Sequence, residues 1–201
     1  MIRHGETDFN KDKRYQGNLD IPLSKDGMKY LKKADFDPER VYISTLIRTR
    51  QTADIMFPDA QKIPVDDIKE MNFGDFEGKN AQEMKDDKDY RNWVDNDCEP
   101  RCPHGEDRAG FIKRVSRGFE GIIEKERREG AKRVVIVVHG GTIMTTMEKY
   151  ALPRRTYFDW LPGNGEGYLL ELKENDDITN CHFIKEVAYH IEDAPKNIHE
   201  I

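Results

Sequence analysis

Arg133-Val134-Val135-Ile136-Val137-Val138-His139-Gly140-Gly141 is the stretch of this chain that decides its fold. It holds five consecutive β-branched residues, which would place apolar side chains on both faces of a strand. Such a run is typical of a strand buried inside a parallel sheet. Two glycines follow it, and a helical pattern runs from Ile143 to about Tyr150. The stretch therefore predicts a buried strand, a turn and a helix in succession.

Other apolar runs along the chain predict further strands of the same sheet. They lie at residues 41–43, 62–65, 168–172 and 182–187, and the last strand is expected at an edge. Met1-Ile2 is expected to be the end of a strand that runs into a turn at Arg3-His4-Gly5. Residues 6–23 are polar and rich in turn formers, and they predict a loop.

Helical spacings separate these strands. Helices are predicted at residues 25–34, 48–56 and 107–128, with Gly130 ending the last one. Ser24 is expected to cap the first helix, with Met28 and Leu31 facing inward. The alternation of strands and helices predicts an α/β fold, a three-layer α/β/α sandwich with a mostly parallel central sheet.

The length of 201 residues predicts a single domain, 1–201, with a short cap inserted at about residues 79–108. That segment is rich in Asp, Glu, Lys and Asn, with Tyr90, Trp93 and prolines among them. Long connections of this kind are often lids over binding sites. The alternative is a solvated connection with one or two short helices.

Composition and charge restrict the classes of partner. The net charge of −6 disfavours nucleic acid, because binding to a phosphate backbone needs a basic face. A local cluster of arginines can still bind a small anion. No apolar stretch is long enough to cross a membrane, and charged residues interrupt any signal-peptide core at the start. These observations predict a cytoplasmic protein that binds neither nucleic acid nor a membrane.

The cysteine content points to a reducing compartment and not to a metal site. Cys98, Cys102 and Cys181 cannot all pair with one another. Cys98 and Cys102 lie near His104, but the three do not complete a zinc set, and ordinary loop thiols are the simpler interpretation. We expect no metal and no cofactor.

Four segments carry residues suited to chemistry on a phosphate ester. They are Arg3-His4-Gly5-Glu6-Thr7, Ser44-Thr45-Leu46-Ile47-Arg48, Ile68-Lys69-Glu70 and Val137-Val138-His139-Gly140-Gly141. Each histidine follows an apolar run, and ligands of open α/β sheets bind beyond the carboxyl ends of the strands. We therefore expect His4, Arg48, Glu70 and His139 to meet at one rim of the sheet.

The residue types suggest a division of labour. Arg3 and Arg48 are planar, permanently charged forks that match phosphate oxygens. His4 is the expected nucleophile, which would form a phosphohistidine that water then hydrolyses. Glu70 would donate a proton to the leaving oxygen and later activate water. His139 would donate to a phosphoryl oxygen, and N–H groups near Gly5 and Gly140 would add donors.

Each of these residues also has an ordinary interpretation. His4 could be a surface histidine, and His139 a satisfied core histidine, which is the commoner outcome for such a position. Arg48 could be an ion-pair partner on a helix surface, and Glu70 a solvated acid. The constellation favours the functional interpretation, because four unrelated coincidences would have to fall on one rim.

The chain resembles the histidine phosphatase superfamily, the group that also contains the cofactor-dependent phosphoglycerate mutases. Its signature loop is similar to Arg3-His4-Gly5-Glu6-Thr7 with Asn10, and the following stretch to Tyr15-Gln16-Gly17. Further motif matches are Asp20, Pro22, Leu23 and Gly27; Ser44 to Arg48, with Thr45 where proline is usual; Gln51-Thr52-Ala53; Glu70 with Phe73-Gly74 and Phe76-Glu77-Gly78; and His139-Gly140-Gly141. These motifs span about residues 1–172, and their joint occurrence is highly specific.

The resemblance implies a phosphoglycerate mutase-like fold and a role for each motif residue. His4 would carry the phosphoryl group and Glu70 would be the proton donor. Arg3, Arg48, Asn10 and His139 would bind the phosphoryl oxygens, and Gln16, Gly17 and Gly140 would line the pocket. The family needs no metal, and many of its members self-associate, so a homo-oligomer is possible.

Three departures from the family pattern bear on function. Only Met1 and Ile2 precede the Arg-His-Gly turn, where the family usually has a full strand, so either the chain begins earlier or its first strand is unusually short. The helix between Gly27 and Val41 looks shortened. The insertion between Glu70 and His139 is short and lacks the paired arginines that mutases use, and Phe73 stands where mutases tend to have a tyrosine.

These observations lead to one expected function and two alternatives. The expected function is that of a metal-independent phosphomonoesterase, a histidine acid phosphatase-type hydrolase, acting on a small phosphorylated metabolite. The alternatives are a cofactor-dependent phosphoglycerate mutase and a non-catalytic scaffold with the same fold. The intact set of His4, Arg3, Arg48, Glu70 and His139 disfavours the scaffold.

Overall fold

The apolar run around Val135 leads into an inner strand of a mixed sheet in a computed structural model, which describes residues 1–173 and 176–191 of the chain. Within these residues the sheet has seven strands in the order β3-β2-β4-β1-β6-β7-β5. The strands are β1 (Ile2–Arg3), β2 (Arg40–Ile43), β3 (Gln61–Pro64), β4 (Ile136–Val138), β5 (Ala151–Leu152), β6 (Glu166–Glu171) and β7 (Cys181–Ala188). Four pairings are parallel, and the two made by β6 are antiparallel. The sheet is therefore mostly parallel, as predicted.

Helices cover both faces of this sheet. They are α1 (Asp8–Lys11), α2 (Lys25–Tyr30), α3 (Ile47–Met56), α4 (Lys88–Asp95), α5 (Arg108–Arg128) and α6 (Gly140–Tyr150). Val135 and Val137 pack in one apolar core with residues of α3, whereas Ile136 and Val138 pack in another with residues of α5 and α6. Because successive side chains of a strand point to opposite faces, the continuous apolar run fills both cores. This confirms the three-layer α/β/α architecture.

The first strand is two residues long but lies between β4 and β6. Ile2 and Arg3 pair in parallel with Val137 and Val138, and Ile2 pairs with Gly167 on its other side. The backbone N–H of His4 continues the ladder by donating to the carbonyl of Val138 at 2.9 Å. His4 is thereby held at the carboxyl end of a central strand.

Two local predictions in the N-terminal region are wrong. Residues 6–23 are not all loop, because α1 begins after Thr7, which shares a capping box with Asn10. The helix capped by Ser24 ends at Tyr30 and not at residue 34, and Met28 is 40% exposed instead of facing inward. Gly27 takes the inner position, since a Cβ there would lie 2.0 Å from the backbone oxygen of Glu6.

The strand predicted at residues 182–187 does not form the edge of the sheet. The two-residue strand β5 lies outside it and pairs in parallel with Cys181 and His182. The buried strand predicted from Arg133 is also shorter, since β4 begins at Ile136. The carbonyl of Val135 nevertheless accepts a hydrogen bond from the backbone N–H of Tyr42, so the apolar run stays against its neighbour.

The segment predicted to form a cap contains α4 and packs on its own apolar cluster. Tyr90 and Trp93 of α4 are buried there against Phe76 and Phe111, and Tyr15 packs on the same cluster. The tyrosine hydroxyls of Tyr15 and Tyr90 are hydrogen-bonded at 3.0 Å. That this segment acts as a cap over a bound ligand stays a prediction.

Candidate active site

The carboxyl ends of four parallel strands bring the candidate residues to one rim of the sheet. A cavity of about 150 Å³ opens there. Its walls contain eight of the nine predicted site residues, namely Arg3, His4, Asn10, Gln16, Gly17, Arg48, Glu70 and Gly140, together with Arg14, Tyr15 and Phe73. The ninth predicted residue, His139, lies behind His4, with the two ring centroids 5.3 Å apart and the rings edge to face.

His4 is held in one orientation and in one protonation state. Its side chain is buried, and Nδ1 lies 2.7 Å from the carbonyl oxygen of Gly5. Because a carbonyl only accepts, Nδ1 must carry the proton, which leaves Nε2 with a free lone pair. Burial first, and then the charges of Arg48 and Arg3, hold the pKa of His4 well below its ordinary value. The ring is therefore neutral, and its Nε2 has the lone pair that a nucleophile needs.

The turn after His4 is fixed by side chains from two other segments. The backbone N–H of Gly5 donates to the hydroxyl oxygen of Thr52 in α3 at 2.9 Å. The side-chain amide of Asn164 donates to the carbonyl oxygen of His4 at 3.1 Å. These bonds fix the carbonyl of Gly5 that orients the imidazole.

Arg48 is a fully buried guanidinium with three of its donors engaged by protein. Nη1 and Nη2 donate to the carbonyls of Leu19 and Gly17, each at 2.8 Å, and Nε donates to Nδ1 of His139 at 3.2 Å. Burial lowers the pKa of Arg48 to about 10, so the group stays charged at neutral pH. It supplies a fixed positive charge at the cavity wall.

Arg3 leaves one buried donor without a partner. Its Nη1 donates to the carbonyl of Pro162 at 2.8 Å, but its Nε is buried and has no hydrogen-bond partner among residues 1–173 and 176–191. A buried donor without a partner costs about 1–3 kcal/mol. An anion in the cavity would accept a hydrogen bond from this donor. Burial lowers the pKa of Arg3, and the negative charges of Glu70 and Glu166 partly offset that effect.

Both ring nitrogens of His139 are already engaged. Nδ1 accepts from Arg48, so Nε2 carries the proton and donates to the hydroxyl oxygen of Ser44 at 2.8 Å. Burial, followed by the charge of Arg48, holds the pKa of His139 well below its ordinary value. The ring is neutral and supports Arg48 from behind. The predicted donation by His139 to a phosphoryl oxygen would require the ring to release Ser44 or Arg48.

Glu70 is oriented by backbone donors from two segments. Its Oε1 accepts from the backbone N–H of Met71 at 3.0 Å, and its Oε2 from that of Gly141 at 3.1 Å. A Cβ on residue 141 would lie 2.4 Å from Oε1 of Glu70, so any other residue there would displace the carboxylate from this position. The second glycine after β4 thus brings the start of α6 against the carboxylate.

One arginine of α5 clamps the loop that carries Glu70. Nη1 of Arg114 donates to the carbonyls of Asp67 and Lys69, and Nη2 donates to that of Glu70, at 3.0–3.2 Å. The guanidinium also makes a two-pronged pair with Glu106, at 2.9 and 2.7 Å. Glu106 in turn accepts from the backbone N–H of Asn72 at 2.9 Å. Arg114 and Glu106 were missed from the sequence because they lie far from Glu70 along the chain.

The polar wall of the cavity is built on Thr7. Three donors converge on Oδ1 of Asn10, namely the backbone N–H and the hydroxyl of Thr7 and the amide of Asn164. The amide oxygen of Gln16 lies 3.0 Å from the same hydroxyl and shares its single proton with Asn10. The NH₂ ends of Asn10 and Gln16 are thus the ends that suit a ligand oxygen.

Gly17 and Gly140 contribute close backbone approach. Gly17 has a φ of +49°, and a Cβ there would lie 1.9 Å from Oε1 of Glu77, so another residue would be strained and would displace Glu77. Gly140 is the first residue of the eleven-residue helix α6 and lies beside Arg3. The N-terminus of that helix favours negative charge.

The organic part of a ligand would meet residues that the sequence did not single out for that purpose. Tyr15 and Phe73 line the cavity with their rings edge to face, 5.1 Å between centroids. Five residues of the segment predicted to form a cap are not among those that line the cavity, namely Tyr90, Arg91, Trp93, Arg101 and His104. Phe73 and the Tyr15-Gln16-Gly17 segment both belong to motifs that the sequence shares with the family. Their joint occurrence could have indicated that Tyr15 and Phe73 form the aromatic wall of the cavity.

No group of three or more His, Cys, Asp or Glu in residues 1–173 and 176–191 is arranged to hold a metal ion. In the same part of the chain, every helix is too short or too polar to cross a bilayer.

Comparison with known proteins places this geometry in a family. The sequence model of the family described as "Histidine phosphatase superfamily (branch 1)" matches residues 1–180. The chain is 29% identical over 150 residues to the uncharacterized phosphatase PhoE of Bacillus subtilis (strain 168), covering 71% of this chain and 72% of the relative. It is 30% identical over 179 residues to a 2,3-bisphosphoglycerate-dependent phosphoglycerate mutase of Bifidobacterium longum (strain DJO10A), with the same coverage of each chain.

A solved structure supports the fold. The crystal structure of a putative alpha-ribazole-5'-P phosphatase from Escherichia coli K-12 superposes with a TM-score of 0.76. It covers 91% of this chain and 92% of its own, at 22% sequence identity. At that identity the match concerns the architecture.

Proposed function

The chain belongs to the histidine phosphatase superfamily, and on this premise we propose that it is a metal-independent phosphomonoesterase that acts on a small phosphorylated metabolite. The observation that carries the proposal is the state of His4. A neutral imidazole with its Nδ1 proton held by Gly5 lies in a cavity whose walls also hold Arg3, Arg48 and Glu70. An anion bound there would accept a hydrogen bond from Nε of Arg3, which is buried and has no partner within the described part of the chain.

In the first step of the proposed reaction, Nε2 of His4 attacks the phosphorus of the ester. A nitrogen–phosphorus bond forms while the bond from phosphorus to the ester oxygen breaks. The positive charges of Arg3 and Arg48 stabilise the negative charge on the non-bridging oxygens. The NH₂ groups of Asn10 and Gln16 and the N-terminus of α6 at Gly140 add donors to these oxygens.

Protonation of the leaving oxygen completes that step. The carboxyl of Glu70 gives its proton to this oxygen, and the alcohol leaves. Glu70, now ionised, removes a proton from a water molecule that attacks the phosphohistidine, which restores His4 and releases inorganic phosphate.

A phosphoglycerate mutase is the second candidate, supported by the similarity to the Bifidobacterium longum mutase. A mutase would transfer the phosphoryl group from His4 to a second hydroxyl and would have to keep water away. Conversion of 3-phosphoglycerate, measured with and without bisphosphoglycerate, separates the two. Fast conversion with slow release of phosphate would overturn the phosphatase proposal.

The decisive experiment combines turnover with labelling of the nucleophile. Phosphate release from p-nitrophenyl phosphate in EDTA should proceed in the wild type and be abolished in His4→Ala. Rapid quenching with a radioactive ester should give an acid-labile label on wild-type protein and none on His4→Ala. Hydrolysis without that label would refute the phosphohistidine, and inertness at every pH would favour a scaffold. The cytoplasmic location and self-association stay predictions.

A further inference from the structure

Arg14 is the third arginine that lines the cavity, and its guanidinium is already hydrogen-bonded to other residues of the protein. Nη1 donates to the carbonyl of Gly78 and to Oε2 of Glu83, the latter at 2.7 Å, while Nη2 donates to Oε1 of Glu83 at 2.8 Å. Its Nε lies 3.8 Å from a carboxylate oxygen of Asp12. The guanidinium therefore faces two carboxylates and a carbonyl of its own chain, and its side chain lines the cavity beside Tyr15 and Phe73.

The ion pair between Arg14 and Glu83 determines which ligand groups can bind to this wall of the cavity. A free arginine at the mouth of a phosphate site would attract a second anionic group through the same two-pronged geometry. Here Glu83 occupies both terminal nitrogens, so a carboxylate or phosphate would have to displace it. A second anion would also meet the negative charges of Glu83 and Asp12. The remaining surface at this wall is aromatic, from Tyr15 and Phe73.

We propose that the Arg14–Glu83 pair makes the site select phosphate esters whose organic part carries no second anionic group. Glu83 does this by occupying the guanidinium of Arg14, which could otherwise bind such a group. The inference rests on the proposed function, since it assumes that the phosphoryl group binds between His4, Arg3 and Arg48. It also explains in physical terms why an ester such as a phosphoglycerate would be a poor substrate.

The test uses two esters that differ by one anionic group, glycerol 3-phosphate and 3-phosphoglycerate. In the wild type, kcat/KM should be at least tenfold higher for glycerol 3-phosphate. Glu83→Gln should raise kcat/KM for 3-phosphoglycerate at least fivefold, mainly through KM, and leave that for glycerol 3-phosphate within twofold. Adding Arg14→Met, which keeps the aliphatic stem, should remove the gain.

A matched control exists at the other end of the sheet. Arg40, the first residue of β2, forms another surface arginine–glutamate pair with Glu129. Glu129→Gln removes the same charge from the protein and should change neither ester's kcat/KM. An equal change in both control and test variants would show that overall charge, and not Arg14, governs the preference.

Different results would contradict the role of the Arg14–Glu83 pair and the proposed phosphatase function. Binding of the two esters to His4→Ala, measured by calorimetry with and without Glu83→Gln, reports the preference without turnover. Loss of hydrolysis in every protein, with the binding preference intact, would overturn the phosphatase function alone. Unchanged relative affinities after Glu83→Gln, or a wild type that prefers 3-phosphoglycerate, would overturn the role of the pair.

Discussion

Acidification should destabilise the folded protein through His4 and His139, because both imidazoles are buried in the neutral form. The pKa of each ring is held well below 6.5, first by burial and then by Arg48. As the pH falls through about 6.5, the unfolded chain binds a proton on each ring and the folded protein does not. The stabilisation is therefore fully present above that pH and is lost below it.

Linkage gives the size of the effect. From about pH 7.5 to about pH 5.5, one ring that titrates only in the unfolded state lowers the free energy of unfolding by about 1.4 kcal/mol. Two such rings lower it by about 2.7 kcal/mol, an upper limit reached when neither ring binds a proton in the folded protein. This is a large fraction of the stability of an ordinary domain.

Urea unfolding at the two pH values measures this loss. Fluorescence of the buried residues Trp93 and Trp160 reports the transition. The buffer must lack phosphate, because a bound anion would stabilise the folded state by mass action. The variant His4→Asn/His139→Asn should lose less stability on acidification, by up to about 2.7 kcal/mol, and each single variant should account for about half. An equal loss in the wild type and the double variant would refute the reasoning.

Three further predictions concern Glu70 and the groups that hold it. Glu70→Gln should slow hydrolysis most for esters with poor leaving groups, which need the proton; an equal loss along a series of aryl phosphates would contradict the acid role. Gly141→Ala should lower kcat about tenfold or more, because its Cβ would collide with the carboxylate. Unchanged kinetics would show that the contact is unimportant. Arg114→Met should loosen the loop that carries Glu70 and should therefore lower kcat more than it raises KM. The control Arg117→Met breaks an exposed pair with Asp67 and should not have this effect. Equal effects of the two variants would show that lost stability alone explains the change.

The layers of the fold were predictable because the strongest sequence signal is also a local one. The run from Val134 to Val138 is apolar at every position, so it fits only a strand with both faces covered. The error at Met28 has a different origin. Spacing rules look for large apolar residues on the inner face of a helix, but α2 approaches the backbone of Glu6 so closely that only Gly27 fits there.

The site was predictable in its membership but not in its hydrogen bonds. Strand ends place His4, Arg48 and Glu70 at one rim whatever their partners are, and topology alone gives that result. The partner of His139 is Ser44, 95 residues away in the chain, and that of Arg14 is Glu83, 69 residues away. A charged or polar side chain is either bound by its own protein or available to a ligand. Which of the two holds depends on contacts between residues far apart in the chain, and no local sequence pattern predicts those contacts.

The turn after β1 shows how the sheet fixes a side chain that lies beyond the end of a strand. Ligands of open α/β sheets bind beyond the carboxyl ends of the strands, so the contacts at that end position the site. Here the carbonyls of Arg3 and His4 both accept from the backbone N–H of Gly165, and the N–H of His4 donates to Val138. β4 on one side and Gly165, the residue before β6, on the other thus hold the turn. The position of His4 therefore depends on contacts at the carboxyl end of β1 with the segments on either side of it.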